Sequence, residues 1–145
     1  MSKTEDFLTS KQEEKIVEAI RIAEENTSGE IRVHIEEKSD KPSLERAKEV
    51  FNALEMYKTK ARNGVLFYIN VSQNQFAILG DEGIDKVVPH NFWESTKDIV
   101  LKNFAEKKYK KGLVKGIKKA GEQLKHYFPY QTDDTNELTN EISKG

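Results

Sequence analysis

Residues 64–71 read GVLFYINV, a nearly unbroken apolar run. A strand of that composition has no face to show to water, so it belongs in the interior of a sheet with something packed on each side. Phe76-Ala-Ile-Leu79 follows after only Ser72-Gln-Asn-Gln75, which makes the two strands a hairpin. A turn centred on 72–75 pairs residues whose numbers sum to about 147, setting Gly64 opposite Gly83 and Asn63 near Ile84.

The remaining elements supply the layers that this strand requires. Ile31, Val33 and Ile35 alternate with Arg32, His34 and Glu36, the period of a half-buried strand. Ser10 and Glu13 have capping-box spacing, and Ile16, Ile20 and Ala23 then recur at helical spacing, predicting a helix over 10–25. Pro42 and Ser43 open a second helix with Leu44, Ala47, Phe51 and Leu54 on one stripe, ending near Thr59. Ile99, Val100 and Phe104 mark a third, and Gly112 opens a last one carrying Leu113, Gly116, Ile117, Ala120 and Leu124. Phe92 and Trp93 are expected to pack in the core or at the entry to the third helix. The order α, β, α, β, β, α, α predicts an α/β fold, a three-layer α/β/α sandwich with a short mixed sheet. One domain is expected over 1–130, with 131–145 a disordered acidic tail.

Several chemistries are closed by composition. With no cysteine, there are no disulfides, zinc–thiolate sites, iron–sulfur clusters or thiol nucleophiles. A net charge of -1, from 24 basic and 25 acidic residues, supplies no global field for nucleic acid or anionic lipid. The opening MSKTEDFLTSKQEEK lacks a secretory apolar core, and no stretch approaches the roughly 18–20 apolar residues of a membrane span. The expectation is a soluble, cytoplasmic monomer with neither nucleic-acid nor membrane partners.

Residues 80–86, GDEGIDK, concentrate three carboxylates on a glycine-bearing turn. If the strands at 31 and 64 are parallel and joined by a right-handed crossover, Glu30 begins at the same end of the sheet. Glu30, Asn63, Asp81, Glu82 and Asp85 would then converge. Repulsion among them would be relieved by a hard divalent cation, Ca²⁺ before Mg²⁺, as one or two ions taking carboxylate, amide and carbonyl oxygens. The other reading is a solvated turn whose acids cap the next segment.

TSGEIRVHI at 27–35, RNGVLFYINV at 62–71, FAILGDEGIDKVVP at 76–89 and FAEKKYKKGLVKGI at 104–117 together resemble the TPM domain family. The resemblance implies an α/β/α sandwich and, for some members, divalent-metal binding and acid-phosphatase activity. The family's glycine-rich loop with a following acid resembles Gly80–Asp85, and its Asn-Gly before a strand resembles Asn63-Gly64. Carried over, Asp81, Asp85 and Asn63 are the ligands; Glu82 and Glu30 rest on the spatial argument. Where many members carry an acid shortly before the Asn-Gly, this chain has Thr59-Lys-Ala-Arg62. The reading is therefore a stand-alone, metal-responsive regulatory or protein-interaction module, with a metal-dependent acid phosphatase as the alternative; Arg62 and Lys86 would be its charge clamps, the other reading of them being simple charge balance beside the acids.

Other motifs read as structure. His34, His90 and His126 lack metal-ligand spacing and are expected at the surface or at caps. Thr27-Ser-Gly29 lacks the context of a hydrolase nucleophile. Gly112 and Gly116 are expected to let the last helix approach the sheet. The lysines from Lys107 to Lys119 form a solvated helix face.

Overall fold

In the computed structural model, which describes residues 7–130 and 137–145, five helices flank a four-stranded sheet. The elements are α1 (Ser10–Glu24), β1 (Glu30–Glu36), α2 (Ser43–Ala53), β2 (Gly64–Asn70), β3 (Gln75–Gly80), α3 (Glu82–Asp85), α4 (Glu94–Ala105), α5 (Tyr109–Lys125) and β4 (Ser143–Lys144). The sheet order is β3-β2-β1-β4, with β1 parallel to both β2 and β4 and β2 antiparallel to β3. Every residue of β2 is buried, as its composition demands.

The two faces of β2 fill two cores. Val65, Phe67 and Ile69 join Ile31, Val33 and Ile35 of β1 against α1, α4 and α5. Leu66 and Tyr68 face the other way, against Ala47, Val50 and Phe51 of α2 and against Met56. This is the expected three-layer sandwich. In α5 a Cβ on Gly116 would lie 2.5 Å from Val100 Cγ2 and one on Gly121 2.8 Å from Ala23 Cβ, so its small residues admit α4 and α1. The sequence expectation was approach to the sheet; the close contacts are chiefly with helices.

Several boundaries differ from the pattern in the sequence. The α1 cap is Thr9, whose hydroxyl accepts from Gln12 N–H while the Gln12 side chain accepts from Thr9 N–H, a capping box one residue earlier than Ser10–Glu13. Helix α2 stops at Ala53 because Glu55 takes φ 55°, which turns the chain away before Thr59. Helix α5 starts at Tyr109, three residues before Gly112, after Lys107 makes a similar left-handed turn at φ 61°. The hairpin pairs Val65 with Gly80 and Asn70 with Gln75, two residues from the expected register, so Asp81 rather than Gly83 meets Gly64: its N–H donates to Gly64 O at 2.9 Å.

The tail also differs. Residues 131–136 lie outside the described residues, but Glu137 to Gly145 run along the outer edge of β1, where Ser143 pairs with His34 and Lys144 with Ile35. That segment covers the row Glu30, Arg32, His34 and Glu36. Strand β1 is consequently buried on both faces except at Arg32, which is partly so, instead of being half-exposed.

Candidate functional site at the acidic rim

Register places the site. Glu30 is the partner of Gly64 across β1 and β2, and Asp81 follows the last residue of β3, so the starts of β1 and β2 and the end of β3 share one rim. Two loops meet there, 59–63 and 81–86. Asn63 N–H donates to Thr59 Oγ1 at 3.1 Å, Arg62 N–H to Thr59 O at 3.2 Å, and Gly83 N–H to Arg62 O at 2.9 Å. A Cβ on Gly83 would fall 2.2 Å from Ala61 O and 2.5 Å from Arg62 O, so glycine is required for the loops to touch. Arg62 itself sits at φ 51°, which turns its side chain back over the acids.

Arg62 is the centre of the arrangement. Its Nε donates to Asp81 Oδ2 at 2.8 Å and its Nη2 to Asp81 Oδ1 at 3.0 Å, a bidentate pair, while Nη1 reaches Glu82 Oε1 at 3.0 Å. Asp81 is buried, and its Oδ1 also caps the one-turn helix α3 by accepting from Glu82 N–H at 2.7 Å. Asp85 is an exposed residue whose carboxyl is partly desolvated; that desolvation and then the charge of Asp81 raise its pKa above the ordinary value, only partly offset by Lys48. One guanidinium thus holds two carboxylates, while Asp85 forms no ion pair among the described residues and feels only the charge of Lys48. Lys86 makes no contact that would compete with Arg62 for this role among the ion pairs of the described residues.

The structure divides the expected ligands into two groups. Asp81 and Glu82 gather on Arg62, and Asp85 lies beside Asp81 on the same one-turn helix. Glu30 lies two strands from Asp81, roughly 9–10 Å across the sheet, and its Oε1 accepts the N–H groups of Glu137 and, at 3.3 Å, Leu138. It also hydrogen-bonds the side chain of Glu24, which the sequence reading did not single out. Burial, then the charge of Glu30, pushes the Glu24 carboxyl up to about 9, so the pair shares a proton at neutral pH. Asn63 is buried between the groups: its carbonyl accepts from Glu30 N–H at 3.2 Å, its Nδ2 lies 3.4 Å from Ser28 Oγ, and its Oδ1 has no hydrogen-bond partner among the described residues. In this arrangement no three His, Asp or Glu of the described residues are positioned to hold a metal ion. The Arg62 side chain that holds Asp81 and Glu82 is 41% exposed.

A second polar cluster lies under residues 137–145. His34 is buried, with Nδ1 2.9 Å from Ser143 Oγ and Nε2 3.2 Å from Glu36 Oε1. Arg46 of α2 forks onto Glu36 at 3.0 Å to each oxygen, and Tyr68 OH donates to Glu36 as well. Burial lowers the His34 pKa, against Glu36, which raises it. The expected surface histidine is therefore a buried one, whereas His90 and His126 are exposed. The signal available was the alternation Arg32, His34, Glu36, which becomes informative once a segment is known to cover that face.

An α/β/α sandwich whose acidic glycine turn meets an Asn-Gly loop at one end of the sheet is the plan that the sequence motifs suggested, and the comparisons agree. The TPM domain family model matches residues 1–123, and the chain belongs to that family. No curated protein gives a significant match. Among solved structures, the NMR structure of the BA42 protein from the psychrophilic bacterium Bizionia argentinensis is 51% identical, covers 100% of both chains and superposes with a TM-score of 0.93. The N-terminal domain of a protein from P. gingivalis matches at TM-score 0.70 and 18% identity over 86% of this chain and 82% of its own. The N-terminal domain of the cg2496 protein from Corynebacterium glutamicum matches at 0.63 and 12% over 79% and 72%. The last two speak for the fold alone. No helix among the described residues is long and apolar enough to cross a membrane.

Proposed function

We propose that this TPM domain is a divalent-cation-responsive module, Ca²⁺ before Mg²⁺, whose acidic rim exchanges the Arg62 guanidinium for a metal ion and thereby alters a surface offered to a protein partner. The observation that carries this reading is the charge imbalance on loops locked together by Gly83: Asp81 and Glu82 share one guanidinium, and beside them Asp85 is held above its ordinary pKa by partial desolvation and by Asp81, against the weaker pull of Lys48. A carboxylate in that state takes up a proton or a cation. Asp81, Glu82 and Asp85 would hold the ion, with water and loop carbonyls completing the oxygen shell that Ca²⁺ prefers. The unpartnered Oδ1 of Asn63 is a further oxygen at the same rim. Glu30, committed to Glu24 and to two backbone N–H groups, supports the rim from outside the ligand set.

The phosphatase alternative needs a cationic group free to clamp a phosphoryl oxygen. Without a cation Arg62 is engaged by Asp81 and Glu82 and offers no such clamp; a cation that displaced it would free it for that role, so turnover must be measured directly. Titration calorimetry of chelator-stripped protein tests the binding reading. Asp81→Asn and Asp85→Asn should each weaken Ca²⁺ affinity by roughly tenfold or more, since ligand charge count sets affinity in oxygen sites. Unchanged affinity in both variants sinks the placement, and metal-dependent turnover of a generic phosphomonoester would favour the enzyme.

A further inference from the structure

The outer edge of β1 is occupied by the chain's own residues 137–145, and the manner of occupation is that of a bound peptide. The N–H groups of Glu137 and Leu138 donate to Glu30, Glu137 accepts from Lys60 N–H, Leu138 packs into the α2-side core beside Gly64, and the charge of Glu141 acts on Arg32. Ser143 meets His34, and Gly145 N–H donates to Ile35 O at 2.9 Å. Main-chain pairing along a sheet edge with alternate side chains entering seats is how sheets accept extended peptides.

Two features mark this occupant as replaceable. No residue of 137–145 is fully buried and only two of them form ladder pairs with β1, so the segment sits at the low end of local stability. The family match ends at residue 123, so the TPM core is specified upstream of it. A third feature gives the chemistry of a better occupant. Arg32 Nε is buried with no hydrogen-bond partner among the described residues, although the charge of Glu141 acts on the same guanidinium. A carboxylate that reached Nε would form a charge-assisted bond and meet a donor that is costly to leave unpaired.

We propose that residues 137–145 are a stand-in ligand, and that the edge of β1 is a strand-accepting groove for an extended acidic segment of a partner protein, aligned parallel to β1. Such a segment places leucine in the Leu138 seat, an acid against Arg32 and a small hydroxyl against His34. This does not depend on the cation reading.

The probe is a fluorescent synthetic peptide of residues 137–145, ELTNEISKG, titrated into the full chain by anisotropy. Ser143→Pro, which breaks the β4 ladder, should bind it at least about tenfold more tightly than the unaltered chain, because a docked segment reduces the fraction of open grooves. Since the chain has no native cysteine, His34→Cys with Ser143→Cys forms a single defined bridge across a ladder pair. The reduced double variant should bind the peptide and the oxidised one should not, and a peptide carrying Gln for Glu141 should bind several-fold more weakly. Equal binding to oxidised and reduced protein, or no binding to either the reduced variant or Ser143→Pro, would overturn the proposal.

Discussion

Gly83 and Arg62 show how single positions set the rim. The Cβ of an alanine at 83 would overlap the carbonyl oxygens of Ala61 and Arg62, both backbone atoms that have no rotamer to escape into. Gly83→Ala is therefore expected to cost about 1–3 kcal/mol of stability, as overpacking does, and to separate the loops, so that urea unfolding and Ca²⁺ affinity fall together. A loss of stability with affinity intact would mean that the loop contact does not organise the acids. Glu24 makes a prediction about pH. Its folded-state pKa of about 9, raised first by burial, lies above its ordinary 4.5, so the folded chain keeps a proton that the unfolded chain has released. Its contribution is complete below pH 4.5 and is lost as pH rises toward about 9. Glu24→Gln imitates the protonated acid and should flatten that decline, so that the variant gains on the parent in Tm between pH 5 and pH 9. Parallel curves would show that Glu24 is ionised in the fold.

The elements were legible where burial dictates periodicity. GVLFYINV could only be an interior strand, and Ile16, Ile20 and Ala23 face one core because they share a helical stripe. Boundaries were less so, because they are set by left-handed turns at Glu55, Arg62, Asn74 and Lys107, none of them glycine, which only tertiary contacts stabilise. The same cause shifted the hairpin by two residues. The candidate ligands Asp81, Glu82 and Asp85 were readable from local clustering, and Arg62 as charge balance from its place beside them, whereas its bidentate hold on Asp81 was not, since it depends on that turn. Glu24 escaped notice because its partner Glu30 is on the next element, and β4 because a two-residue strand in a polar segment carries no pattern. For α1, the reciprocal Thr9–Gln12 box predicts that Thr9→Ala lowers stability by about 1 kcal/mol. A chemical-denaturation midpoint that does not move would assign the helix start to packing of Leu8 and Phe7 instead.

Across the molecule, the sandwich serves as a rigid frame that carries two sets of polar groups on the α2 side of the sheet. One is the acid rim at the start of β2, the other the row of β1 beneath residues 137–145. Glu137 connects them, since its carboxylate accepts from Lys60 N–H in the loop that also holds Arg62 and Asn63. Cation binding that displaces Arg62 should therefore be felt in stability as well as in the loops. Thermal unfolding of chelator-stripped protein with and without millimolar Ca²⁺ tests this most directly, run beside Arg62→Ala. A ligand at a thousand times its Kd adds about 4.1 kcal/mol, and each kcal/mol moves Tm by roughly 2–8 °C in domains near this size. The expected result is a saturable rise on the order of 10 °C, larger in Arg62→Ala, which loses its internal counter-ion and starts from a lower Tm. No rise in either protein would leave Asp81, Glu82 and Asp85 as a turn neutralised by arginine alone and would contradict the account.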